Sequence, residues 1–294
     1  MDKYYQIFKT SFSDYASYLW REITIPSDHN YFYLLIGLSL FVWLLEVLLP
    51  WRKNQNQIRK DFWLDGFYMF FNFFLFSLVG YNAISNIGVE LFNQFLGNFG
   101  INNLVAFEIG SWPRLLQLLT YFLLADFIQW NVHRLLHRVP WLWEFHKLHH
   151  SVKEMGFAAH LRFHWMETIV YKSIMFVPLS MIGFSITDMF IVHAISVFIG
   201  HLNHANLNWD YGIFKYILNN PKMHLWHHVK KLPENHPHGI NYGISLSIWD
   251  YLFGTAHVEE KGGEIELGFD DEKEFPKTFF AQIFYPFWKN KKTK

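Results

Sequence analysis

The chain has 294 residues, enough for one sizeable domain or two small ones, and 51% of them are apolar, 20% aromatic and only 17% charged. A soluble globular chain averages about 25% charged, and the missing charge is concentrated in long apolar runs. A formal net charge of zero removes any electrostatic case for nucleic-acid binding, and the lack of cysteine excludes disulfides, iron–sulfur clusters and thiolate metal sites, so any metal must be held by His, Asp or Glu.

Residues 1–30 mix Lys3, Lys9, Arg21, Asp2, Asp14 and Glu22 with aromatics and hold no uninterrupted apolar core. They are expected to form an amphipathic segment on a membrane surface rather than a signal peptide. The first apolar run is Tyr31 to Leu49, broken only by Glu46, and at about 20 residues it can span a bilayer. Basic residues follow it: Arg52, Lys53, Arg59 and Lys60. The second run, Phe62 to Ile84, is rich in Phe and carries Asp65. A polar, Gly- and Asn-rich stretch from Ser85 to Pro113 separates it from the third run, Leu115 to about Trp130, which contains Asp126. The fourth apolar region, 168–200, is divided by Pro178 and a turn signal at Gly183–Ser185, which predicts a helical hairpin.

The expected organisation is transmembrane helices over 31–125, a catalytic region over 126–255 that includes the hairpin, and a soluble tail over 256–294. The fold class is an all-α integral membrane protein, with about four membrane-embedded helices or hairpin segments capped by a His-rich helical domain. The basic loop after the first run and the Lys-rich C-terminus predict a cytoplasmic location for that cap. This means the inner membrane in a bacterium or the endoplasmic reticulum in a eukaryote.

Fifteen of the 17 His lie between 133 and 238, and their spacing is regular. His133 and His137 form an i, i+4 pair, and His146, His149 and His150 form an HxxHH box. His224, His227 and His228 repeat that box. Residues three and four apart share a helix face, so each cluster can aim two or three imidazoles at one point. Eight nitrogen ligands exceed what one ion accepts and suit two ions. His204 is the better ninth candidate of the pair His201 and His204. His29, His193 and His257 read as structural or surface residues, His160 and His164 stay near that reading, and the Pro between His236 and His238 sets them aside. Asp126 lies two helical turns before His133, and a carboxylate at membrane depth is a functional candidate. Its expected role is to accept the spare N–H of a ligand His.

The stretch from Asp126 to His137 resembles the fatty acid hydroxylase (sterol desaturase) superfamily. So do Trp143-Glu-Phe-His-Lys-Leu-His-His-Ser151, Arg162-Phe-His-Trp-Met-Glu167, His224-Leu-Trp-His-His228 and Asn241-Tyr-Gly-Ile-Ser-Leu-Ser-Ile-Trp-Asp-Tyr-Leu-Phe-Gly-Thr255. About 130 residues carry the match. Tyr216-Ile-Leu-Asn-Asn-Pro-Lys-Met-His224 is most similar to the alkylglycerol monooxygenase branch. The resemblance implies a non-heme di-iron centre held by the box histidines, O2 as oxidant and a hydrophobic substrate. It also implies an external electron donor, a cytochrome b5-like protein or a ferredoxin. Tetrahydrobiopterin stays open as a reductant without support from the sequence itself.

The expected function is O2-dependent hydroxylation or desaturation of a C–H bond in a sterol, fatty acyl or ether lipid. The expected ligands are His133, His137, His146, His149, His150, His204, His224, His227 and His228, supported by Asp126 and Asn241. Arg162 and His164 are candidates for holding a lipid head group. A zinc hydrolase would need an HExxH-type helix, which does not occur. A bis-His heme protein would use only two to four of the clustered His. A His-rich membrane metal carrier would place ligands along a path through the spans.

Overall fold

Asn30 starts the first long apolar helix by accepting the Tyr33 amide on its side chain at 3.1 Å, which satisfies one of the free N–H groups of a helix start. That helix is α2 (Tyr31–Leu48), and it follows α1 (Asp2–Thr24). The computed structural model describes residues 2–27, 30–76, 84–101, 105–184, 186–259 and 265–289. His29, the end of the second apolar run and the last lysines lie outside the described residues. Among the described residues the chain forms eleven α-helices, short 3-10 turns and three isolated β-bridges, with no longer strand.

After α2 come α3 (Phe62–Phe70), α4 (Ile84–Gly97), α5 (Arg114–Arg138) and α6 (Pro140–His150). The hairpin is α7 (Trp165–Ser180) and α8 (Ile186–His204), divided close to Gly183 as its turn signal predicts, whereas Pro178 lies inside α7 and does not divide it. Then follow α9 (Pro221–His227), α10 (Ile248–Leu252) and α11 (Phe279–Lys289).

Two described helices, α2 and α5, are long and apolar enough to cross a membrane, while the apolar helices Phe62–Phe76 and Met189–His204 are shorter. Leu40, Phe41, Leu44 and Leu48 of α2 and Leu115, Leu116, Leu119 and Leu123 of α5 are all exposed. Apolar surface of that extent is what a lipid-facing helix presents.

The stretch read as polar from Ser85 onward holds a helix, α4. Ile87, Leu91 and Phe95 recur every four residues, which builds one apolar stripe despite the Asn and Gly between them. α4 packs on α1, joined by the Lys3–Glu90 ion pair and an Asn86–Ser11 hydrogen bond of 3.0 Å.

α2 and α8 run parallel and in register. Tyr31 Oη meets His193 Nε2 at 3.0 Å, and eight residues further on in both helices Ser39 Oγ meets His201 Nε2 at 3.1 Å. Glu46, the one charge in the first apolar run, accepts the amides of Phe157 at 2.9 Å and Asn206 at 2.7 Å. It thereby ties the end of α2 to the turn at Phe157–Leu161 and to the exit of α8.

Arg162 is buried, and its guanidinium meets Asp61 at 3.0 Å and Asp65 at 3.2 Å, while Asp65 also pairs with Arg59. The network clamps α3 against the segment after α6. Arg162 is therefore spent inside the protein, which corrects its reading as a head-group ligand. His164 is corrected likewise. It is fully buried, its Nε2 meets the Ile283 carbonyl at 2.7 Å, and its Nδ1 accepts the Met166 amide at 3.1 Å.

Removing one partner of a buried ionic cluster leaves an uncompensated charge and costs about 3–5 kcal/mol. Asp65→Asn is therefore expected to lower the thermal unfolding midpoint of the detergent-solubilised protein clearly. An unchanged midpoint would show that the clamp carries no stability.

Candidate metal centre

α5 ends with His133 and His137 one turn apart, and Pro140 at the first position of α6 turns the chain back so that His146, His149 and His150 face them. α8 delivers His204 in its last turn. Asn220 caps α9 by accepting the Met223 amide at 3.0 Å, and α9 contributes His224 and His227, with His228 just after it. All nine are buried except His137, which is nearly so.

They sort into two sets. One comprises His133, His137, His146, His150 and His227, the other His149, His204, His224 and His228, and within each set the ligand atoms lie within 4.8 Å of one another. The sets adjoin through the stacked rings of His150 and His228, 4.4 Å between centroids.

The hydrogen bonds around the rings decide their tautomers. His133 Nδ1 meets the Tyr242 carbonyl at 2.8 Å, His149 Nδ1 the Arg162 carbonyl at 3.1 Å, and His204 Nδ1 the Gly200 carbonyl at 2.8 Å. His227 Nδ1 meets the Ile240 carbonyl at 2.7 Å, and His146 Nδ1 meets Glu167 Oε2 at 2.8 Å. The four carbonyls only accept, as does the Glu167 carboxylate in its ionised form, so each Nδ1 carries the proton and each Nε2 keeps its lone pair.

Those lone pairs face one another. Nε2–Nε2 separations are 3.1 Å for His133–His146, 3.1 Å for His150–His227, 3.2 Å for His149–His204 and 2.9 Å for His204–His224. Where both rings are fixed as acceptors, as in His133–His146 and His149–His204, no hydrogen bond can form between them. An ion about 2.1 Å from each nitrogen would set neighbouring nitrogens about 3.0–3.4 Å apart. His137 Nε2 is buried without a hydrogen-bond partner, as suits an atom aimed at an ion. The donor set therefore fits a metal in each group.

Burial holds the rings neutral. It pushes His146 and His149 down to about 3 and holds His150, His224, His227 and His228 well below the usual 6.5, with neighbouring rings adding to the effect for all but His146.

The 241–255 motif is a scaffold for two of these carbonyls. Asp250 accepts the amides of Tyr242 at 2.9 Å and Gly243 at 2.7 Å, the Trp130 indole N–H at 3.0 Å and the Thr255 hydroxyl at 2.6 Å. A Cβ on Gly243 would come within 2.4 Å of the Leu246 carbonyl, so only glycine fits. Asn241 adopts φ 53° and clasps the Met223 and His257 carbonyls at 2.8 and 2.6 Å, joining the loop to α9.

Asp126 does not take the role expected of it. Its carboxylate accepts the backbone amides of Ser245 and Leu246 at 3.1 Å, and among the described residues it makes no hydrogen bond to an imidazole. Its spacing from His133 places it on the right helix face, but the loop comes between. The carboxylate on a ligand His is Glu167, three residues after His164 and visible in sequence only as part of the Arg162–Glu167 motif. His160 also sits closer than expected, its ring 5.1 Å from that of His204 and its Nδ1 2.9 Å from His201 Nδ1. His201 belongs with His160 and Ser39 rather than with either set.

A cavity of about 470 Å³ reaches both sets, with His133, His146, His149, His204 and His224 in its wall. The rest of the wall is largely aromatic and aliphatic, including Phe32, Phe73, Leu161 and Val197, and it extends to Tyr15, Tyr18 and Leu19 of α1.

Residues 118–255 match the family described as fatty acid hydroxylase. The chain is 34% identical over 177 residues to an ornithine lipid hydroxylase of Rhizobium tropici, covering 60% of this chain and 52% of that protein. It is 33% identical over 144 residues to an alkylglycerol monooxygenase of Xenopus tropicalis, covering 48% and 30% of the two chains. It is 28% identical over 144 residues to a very-long-chain aldehyde decarbonylase of Oryza sativa subsp. japonica, covering 47% and 46%. The chain thus spans about half or less of the length of these relatives. No solved structure matches.

Two outcomes follow from the ring environments. Metal-free protein should be most stable above pH 6.5 and lose stability as pH falls from about 6.5 toward about 3, because the unfolded His binds protons that the buried rings refuse. Chemical denaturation across that range checks it, and stability constant down to pH 4 would contradict neutral buried rings. Glu167→Gln should weaken metal binding roughly 10–100-fold by making His146 a poorer donor. Chelator competition measures it, and unchanged affinity would remove Glu167 from the site.

Proposed function

We propose, from the match of residues 118–255 to the fatty acid hydroxylase family, that this protein is an O2-dependent di-iron oxidase acting on a C–H bond of a membrane lipid. His133, His137, His146, His150 and His227 hold one iron, and His149, His204, His224 and His228 hold the other. The observation that carries the reading is the junction of two adjacent all-imidazole sets with one long apolar cavity. When bound, the iron pair supplies the activation of O2 and the one-electron chemistry that no side chain performs.

The chain's own residues do the rest. Glu167 and the carbonyls of Arg162, Gly200, Ile240 and Tyr242 hold the ring protons on Nδ1 and so keep the inward nitrogens free. The apolar wall excludes water from the reacting carbon and selects an alkyl or acyl segment. Asp126, Asn241 and Asp250 keep the 240–247 loop in place. Electrons come from an external carrier such as a cytochrome b5-like protein or a ferredoxin.

Exposed apolar faces on α2 and α5 support integration in a membrane, and the basic loop 52–60 supports a cytoplasmic location for the iron centre. A metal carrier is disfavoured by the cavity, whose wall is more apolar than polar and includes Phe32, Phe73, Leu161 and Val197 beside the imidazoles. Hydroxylase, monooxygenase and decarbonylase names among the relatives support oxidation of a lipid.

Iron-reconstituted protein in nanodiscs, given a lipid extract, O2 and a reductant, should convert a lipid to a product 16 Da heavier by hydroxylation or 2 Da lighter by desaturation, on the order of one oxygen atom or one double bond per turnover. Metal analysis should return about two irons per chain. His150→Ala and His228→Ala should each remove turnover while the protein still inserts, and His257→Ala should retain it. One iron per chain, or full turnover in His150→Ala and His228→Ala, would refute the assignment. Zinc acquired in overexpression must be exchanged first, since imidazole accepts it readily.

A further inference from the structure

The cavity has a polar station far from the metal ligands. Tyr31 Oη and His193 Nε2 form their 3.0 Å contact in its wall, and Lys172 lines the same wall. Lys172 is near enough for its charge to act on the His193 ring. His193 lies eleven residues before His204 in α8, which at about 1.5 Å per residue is about 16 Å along the helix axis. Between the two ends the cavity passes Phe73, Leu161 and Val197.

The station is rich in donors. One proton is shared between Tyr31 and His193, and whichever partner supplies it, the pair keeps one further O–H or N–H. Lys172 adds an ammonium, whose three N–H groups let it donate to a ligand beside a protein partner. The carboxylate of Glu22, also in the wall, is engaged with the Tyr31 amide at 2.7 Å. Polar side chains grouped in the wall of a largely apolar cavity, at the end of a candidate span, are a functional-site candidate, and these suit a ligand that accepts.

We propose that Tyr31, His193 and Lys172 form a specificity site that binds a carbonyl oxygen of an ester or amide linkage in the lipid substrate. Its distance from the imidazole sets then selects which carbon reaches the metals. The inference rests on the lipid-oxidase reading and adds a substrate class to it: acyl lipids in preference to purely ether-linked ones.

The test is binding, which needs no turnover. The full chain in detergent micelles is titrated with a diacyl lipid and with the dialkyl ether lipid of the same head group and chain length, and bound lipid is read by native mass spectrometry. The wild type should prefer the diacyl lipid about tenfold, the worth of roughly one well-placed hydrogen bond. His193→Phe and Lys172→Met should each bring the ratio near one with iron content unchanged, whereas Lys172→Arg, which still donates, should keep the preference. Equal binding of the two lipids by the wild type would overturn the inference without any variant. So would an undiminished preference in both His193→Phe and Lys172→Met. Absence of turnover on every lipid, with the preference intact, would instead count against the oxidase reading alone.

Discussion

Lone pairs pointing at lone pairs are the constraint on which the rest of the structure depends. Five imidazoles have their outer nitrogens committed to acceptors, so their inner nitrogens can only accept. Two pairs of those inner nitrogens, His133–His146 and His149–His204, stand 3.1 and 3.2 Å apart in a buried space. In a low-dielectric interior such an arrangement is unfavourable without a cation, and with one it becomes the strongest link between α5, α6, α8 and α9. Four helices are thereby joined at one place.

The surrounding polar residues make sense as support for that arrangement. Asp250 and Asp126 hold the loop that presents the Ile240 and Tyr242 carbonyls. Arg162 has its guanidinium locked by Asp61 and Asp65 while its own carbonyl fixes His149. Glu46 anchors the exit of α8 just beyond His204. Each of these buried charges is met by hydrogen bonds or an ion pair, which is what makes its burial tolerable. They sit beside the ligands but act one contact away.

The clustering of the His boxes was legible in the sequence because helical spacing alone puts residues three and four apart on one face, and the apolar runs announced α2, α5 and the hairpin. His204 was favoured over His201, and it is His204 that stands with the other imidazoles. What stayed illegible depended on tertiary approach. Asp126 shares a stripe with His133, yet the 245–246 amides reach it first. Glu167 is 21 residues from His146, so no local spacing pairs them. Arg162 and His164 looked available because charge on a sequence carries no record of burial. α4 was obscured by Gly and Asn within a stripe of apolar residues.

X-ray absorption at the iron edge of the reconstituted protein tests the central claim most directly. The account predicts a first shell dominated by nitrogen at about 2.1 Å and the outer-shell scattering characteristic of several imidazole rings per iron. A first shell dominated by carboxylate or water oxygen, with little imidazole signal, would contradict it.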